Sequence, residues 1–116
     1  MMASGNEYHP DVWVIVELSG SKVPETYCRV LAGWYGGFAG PDSWKASSGI
    51  SAVVDKDTYW EIHNHSGSIY NCHKNTEKLS MYTASILNGF VKQNDEEISA
   101  REVGIAEFLQ DPKFVV

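Results

Sequence analysis

Three of the four histidines, His63, His65 and His73, fall within residues 59–74, together with Glu61 and Cys72. Strand-forming residues run on both sides of Ser66-Gly67-Ser68, which reads as a three-residue loop between two antiparallel strands. That loop places Ile62 opposite Cys72, Glu61 opposite His73 and His63 opposite Asn71. Cross-strand partners have Cβ atoms about 4.5–5.5 Å apart, so Glu61, His63 and His73 would converge on one face. Two imidazoles and a carboxylate are a ligand set for zinc or non-haem iron. The same trio can exchange protons near neutral pH. Neither H-x-x-x-H nor C-x-x-C spacing accompanies them, and an exposed sheet face commonly carries such mixed polar residues without chemistry. Glu61, His63 and His73 are therefore the catalytic or metal candidates, and no cofactor is implied. A two-residue loop would set Glu61 opposite Cys72 and separate the three.

The opposite face of that hairpin would carry Trp60, Ile62, Tyr70 and Cys72, which makes it the core side. Cys72 then packs as a small apolar residue. Ser47-Ser48-Gly49 and Ser66-Gly67-Ser68 could suggest a nucleophile or a phosphate nest. Neither carries G-x-S-x-G or G-x-x-x-x-G-K-[ST], so both are read as turns.

The framework around these residues is read from periodicity. Residues 1–10 are mostly small or polar and read as a flexible leader, with a single α+β domain over 11–116. Val12 to Leu18 is a β-branched run around Trp13. Its near-continuous apolarity marks a central strand, covered on both faces or by a sheet and a helix. Thr26 to Ala32 gives a second strand. Trp44 to Val54 gives a third, bulged near Gly49, and Thr58 to His65 and Ile69 to Lys74 complete about five strands over residues 12–74. The period then changes. Over Asn75 to Gln93, Leu79, Tyr82, Ile86 and Phe90 recur at helical steps. Ser99-x-x-Glu102 has capping-box spacing and predicts a second helix through Leu109, ended by Pro112. Strands followed by helix imply an antiparallel sheet with the C-terminal helix packed on one face.

Between the second and third strands lies Gly33 to Trp44, with four glycines, one proline and four aromatics in twelve residues. Glycines there permit tight turns and close backbone approach. Trp34, Tyr35 and Phe38 are the aromatic candidates for a binding surface, since interface hot spots favour such rings.

The chain has 116 residues, 43 % of them hydrophobic and 12 % aromatic, enough for one core without staples. Its net charge is −6. That balance opposes phosphate-backbone binding and docking on anionic membranes, so neither nucleic acid nor membrane is an expected partner. From Asp95 onward six acids face two bases. Glu96 and Glu97 head this acidic quarter and are binding candidates toward a basic partner. Two distant cysteines and the lack of an apolar export segment point to reduced thiols in the cytoplasm.

From Trp34-Tyr35-Gly36-Gly37 through Asp42-Ser43-Trp44 and Ser47-Ser48-Gly49-Ile50 to Ser66-Gly67-Ser68, Tyr70 and Cys72-His73-Lys74, the chain resembles small accessory proteins encoded by tailed bacteriophages. The likeness covers roughly residues 27–75. It implies a host protein as partner in the host cytoplasm, for which the acidic C-terminal quarter suits a basic surface, and carries no catalytic residue with it. The leading expectation is a non-enzymatic protein-binding factor that inhibits or modulates that host protein. A small metal-dependent or acid–base enzyme built on the 59–74 hairpin, or a self-assembling component, are the alternatives.

Overall fold

The strand at the centre of the molecule is the β-branched run. In the computed structural model, which describes residues 6–23, 25–92, 99–111 and 114, β2 (Val12–Ser19) is buried on both faces from Val12 to Val16. Its side chains alternate between two cores, as strand geometry requires. Trp13 and Ile15 point into one, while Val14 and Val16 point into the other. β2 pairs antiparallel with β3 (Tyr27–Trp34) on one side and with β8 (Ser99–Val103) on the other. β4 (Ser43–Ala46) adds to β3, giving the antiparallel order β4-β3-β2-β8.

A second sheet of four strands lies against the first. It is a meander of β5 (Ile50–Asp55), β6 (Tyr59–Asn64) and β7 (Ile69–His73). Glu7–Tyr8 joins its edge as β1, parallel to β7, within the segment expected as a leader. Trp13, Ile15, Val30 and Ala32 of the first sheet meet Val53, Ile62, Tyr70 and Cys72 of the second in the larger core. The Trp13 indole N–H also donates to the His73 carbonyl oxygen at 2.8 Å, tying the sheets together.

Helix α1 (Met81–Lys92) covers the far face of the first sheet. There Leu87 packs with Val14, Val16, Leu31 and Ala100. The architecture is α+β, in three layers: sheet, sheet, helix. None of the helices among the described residues is long and apolar enough to cross a membrane.

The sheet-rich α+β character and the covered central strand agree with the sequence, but β8 follows α1 and several other expectations need correction. One sheet of about five strands is instead two sheets of four. The expected strand over Trp44–Val54 is broken at Ser47–Gly49. Its halves belong to different sheets because the Ser47 hydroxyl accepts the Val30 N–H at 2.8 Å, ending β4 at a corner. The helix expected from Asn75 begins at Met81. Residues 74–76 form a 3-10 turn, and Ser80 and Thr83 cap α1 reciprocally: each side-chain oxygen accepts the other's backbone N–H, at 3.1 and 2.8 Å.

The buried line of α1 is also rotated from the expected one. Leu79 and Ile86 do pack on the sheet, but Thr83 and Leu87 are the buried residues, while Tyr82 and Phe90 stay partly exposed. Ser99–Glu102, expected to open a helix, lies in β8 instead. The helix after it, α2 (Ile105–Phe108), is one turn long and starts only after Gly104, whose backbone is extended. An open β2 edge offers backbone partners to five consecutive residues, more than a capping box can satisfy. α2 places Ile105 and Phe108 over one end of the larger core.

Candidate functional site

The β6–β7 hairpin carries the predicted trio, and its turn decides the outcome. Asn64 N–H donates to Ser68 O at 3.1 Å, closing a three-residue loop over His65, Ser66 and Gly67. Gly67 has φ of 92°, the left-handed position that ends such a loop and favours glycine. The loop has the expected length but sits one residue earlier than expected. Tyr59 therefore faces His73, Glu61 faces Asn71 and His63 faces Ile69. The shift moves partners by two, so the side chains keep their faces. Ile62, Tyr70 and Cys72 are buried as expected, and Trp60 packs at the core margin. Desolvation raises the Cys72 thiol far above the ordinary thiol range, which makes it inert as a nucleophile.

On the outer face, Glu61 and His63 meet along one strand, with His63 Nε2 2.8 Å from Glu61 Oε1. His73 lies across from Tyr59 instead, with ring centroids 6.0 Å apart. The residue opposite Glu61 is Asn71, whose amide donates to Glu7 Oε1 at 3.1 Å. Among the described residues, no three His, Cys, Asp or Glu side chains gather as a metal would need. The Glu61–His63 pair can hold and pass a proton, but it lies on an open sheet face. At the rim of the opposite face, Lys74 is held by Asp55 at 2.7 Å, with its ammonium 4.3 Å from the Trp60 ring centroid. This contact lowers the Asp55 carboxyl below its ordinary value.

The glycine-rich loop is built differently. Trp34 is a structural residue: its indole N–H donates to His9 O at 3.0 Å, and its ring packs edge-on against Tyr8. Two carboxylates flank the loop and fix its backbone. Asp11 accepts the Tyr35 N–H at 2.9 Å and Asp42 accepts the Gly36 N–H at 3.0 Å. Gly36 is pressed against the far side of the loop. A Cβ there would stand 1.9 Å from the Gly40 carbonyl oxygen, so no other residue fits. Between these clamps, Gly37–Ala39 make a 3-10 turn with Phe38 at its tip, fully exposed. Tyr35 is 54 % exposed at the base of the turn. Of the three aromatic candidates, the structure thus leaves Tyr35 and Phe38 exposed and turns Trp34 inward. Glu96 and Glu97 lie outside the described residues.

The helical spacing put Phe90 on the packed face of its helix, with no link to Trp44. Their rings meet edge-on at 5.8 Å, forming a partly exposed seam between β4 and α1. Forty-six positions separate them, and no local pattern connects the two. The serine-rich turns at 47–48 and 66–68 carry no shared motif either, yet Ser48 Oγ reaches Ser66 Oγ at 3.0 Å. Comparison of the chain with protein-family models, with curated proteins and with solved structures finds no match.

Proposed function

We propose that this protein is a non-enzymatic binding factor that docks on another protein through the Tyr35–Phe38 turn and so inhibits or modulates it. The observation that carries this reading is Phe38: a phenyl ring left wholly in water, on a turn clamped by Asp11, Asp42 and the Gly36–Gly40 contact. An exposed aromatic costs solvation free energy, and a rigid turn loses little entropy on binding. Both favour an anchor that enters an apolar pocket of a partner. The resemblance of residues 27–75 to bacteriophage accessory proteins makes a bacterial host protein the expected class, and the chain's negative charge suits a basic rim around that pocket.

The test is capture from bacterial lysate on immobilised protein, followed by binding measurements with the purified partner. Phe38→Ala should weaken that complex by about thirtyfold or more, the scale of a hot-spot residue. Equal binding by wild type and by the Tyr35→Ala, Phe38→Ala double variant overturns the reading.

A second reading rests on the 2.8 Å Glu61–His63 contact, which could serve acid–base chemistry on a substrate laid across the outer sheet face. An activity of the purified protein that Glu61→Gln and His63→Ala both retain unchanged overturns it.

A further inference from the structure

Residues far apart in sequence line an open cleft of about 320 Å³ where β1 and β7 approach β4 and the serine turns. That volume lies at the lower end of small-ligand sites, roughly 300–1,000 Å³. Among the described residues its lining carries one formal charge, that of Lys45, and no carboxylate, in a chain of net charge −6. Glu7, next to Tyr8 in β1, turns to the opposite sheet face and meets Asn71. The Lys45 ammonium stands 5.4 Å from the Tyr8 ring centroid, and among the described residues it forms no ion pair.

The hydroxyls of the cleft are arranged as donors. Ser48, Ser66 and Ser68 form a chain, with Oγ separations of 3.0 and 3.1 Å. Three hydroxyl protons serve two links, so one proton always remains to be given outward. The Ser66 N–H donates to Ser48 Oγ at 3.1 Å, which occupies an acceptor position and favours that polarity. Tyr8 Oη accepts from the Asn6 amide at 3.2 Å, leaving its own O–H free. Tyr70 closes the floor, and burial pushes it up to about 12, so it stays a neutral donor. Behind the wall, the Arg29 guanidinium donates to the Ser47 carbonyl oxygen and adds a second positive charge. An ammonium that shares one cleft with surplus O–H donors can recognise negative oxygen.

We propose that this cleft binds the oxyanion group of a small molecule, a phosphate or a carboxylate, with Lys45 supplying charge and Tyr8, Ser48, Ser66 and Ser68 supplying hydrogen bonds. The site is separate from the Tyr35–Phe38 turn and stands whether or not that turn binds protein. No motif marks it, because its parts come together only when the serine corner after β4 meets the β6–β7 turn.

The experiment is an amide NMR titration of the full chain with inorganic phosphate, with acetate and, at matched ionic strength, with chloride. Saturable shifts at Lys45, Ser48, Ser66 and Ser68 are expected with phosphate or acetate and not with chloride. The anion that saturates at lower concentration identifies the source. Lys45→Met should weaken binding by about tenfold or more, as loss of a charge-assisted contact does. Lys45→Arg should retain it, and Lys56→Met, on the β5–β6 turn, should leave it unchanged. Shifts that grow linearly and match chloride overturn the proposal. So does saturable binding that Lys45→Met and Lys56→Met share with wild type.

Discussion

Gly33 in β3 sits directly beneath Thr83 in α1: a Cβ on Gly33 would stand 2.5 Å from Thr83 Cγ2 and 3.2 Å from Val12 Cγ2. The helix therefore rests on bare backbone at this point. Gly33 has no left-handed φ, so alanine is conformationally allowed and any cost is steric. Reduced freedom of the unfolded chain would alone favour alanine by about 0.4–1 kcal/mol. Overpacking a close-fitted contact costs about 1–3 kcal/mol, and a β-branched methyl has little room to move away, so the steric effect wins. Gly33→Ala should lower stability in denaturant unfolding. Thr83→Ser, which removes the methyl and keeps the capping hydroxyl, should recover part of the loss when combined with it. Strictly additive effects in that double-mutant cycle would rule the contact out.

Glu77 Oε2 accepts the Ile105 backbone N–H at 2.7 Å, across 28 residues. It is the acceptor for the opening N–H of α2, whose Gly104 has no side chain to supply one. Glu77→Ala should cost about 1–3 kcal/mol, the penalty of stranding a partly buried donor. Glu77→Gln, which retains a carbonyl acceptor, should cost less. Faster hydrogen exchange at Ile105 in the alanine variant is the local readout.

Asp55, at the end of β5, and Lys74, just after β7, meet at 2.7 Å. The Asp55 carboxyl is held below its ordinary value of 3.8, chiefly by the Lys74 hydrogen bond and then by the Asp57 N–H. A depressed carboxylate stabilises the fold above its unfolded pKa, and this contribution disappears as pH falls through the folded one. Carbon-detected titration should therefore place the Asp55 midpoint below 3.8 in wild type. In Lys74→Met it should rise toward the ordinary value. Both side chains reach water, so the effect on global stability is small and weakens with salt.

Cys72 has no solvent exposure, whereas Cys28 is half-buried in β3. Thiol labelling of the native protein should modify Cys28 first. Cys72 should react only as fast as the chain opens, with a rate that rises with denaturant. Equal rates at the two positions in native buffer would contradict the packing of β7 against β2.

What could be read in the residues and what could not divides along physical lines. Val12 to Val16 announces a strand covered on both sides because every position is apolar, and the structure supplies a sheet for Trp13 and a helix for Val14. The hairpin faces survive a misplaced turn because side-chain direction depends only on parity. The loss of the trio traces to one residue, Gly67, whose left-handed backbone fixes the loop end. Ser99–Val103 contains two charges and an alanine, so its own propensity does not mark a strand; the unpaired edge of β2 decides it. Phe38 and Tyr35 were legible as candidates by type. That Trp34 turns away from them depends on the His9 carbonyl, which no local pattern places there.

The pairing of β2 with β8 has a consequence for how the chain is made. Ser19 waits for Ser99 and Ile15 for Val103, so the most apolar strand stays open along one edge until residues 99–103 have been synthesised. Contacts so distant in sequence slow folding, and an exposed apolar edge invites pairing with other chains. During translation the nascent protein is thus at its most adhesive until residues 99–103 emerge to cover that edge. A ribosome-bound chain stalled before Ser99 should recruit chaperones, and release of the residues through Val103 should end that recruitment.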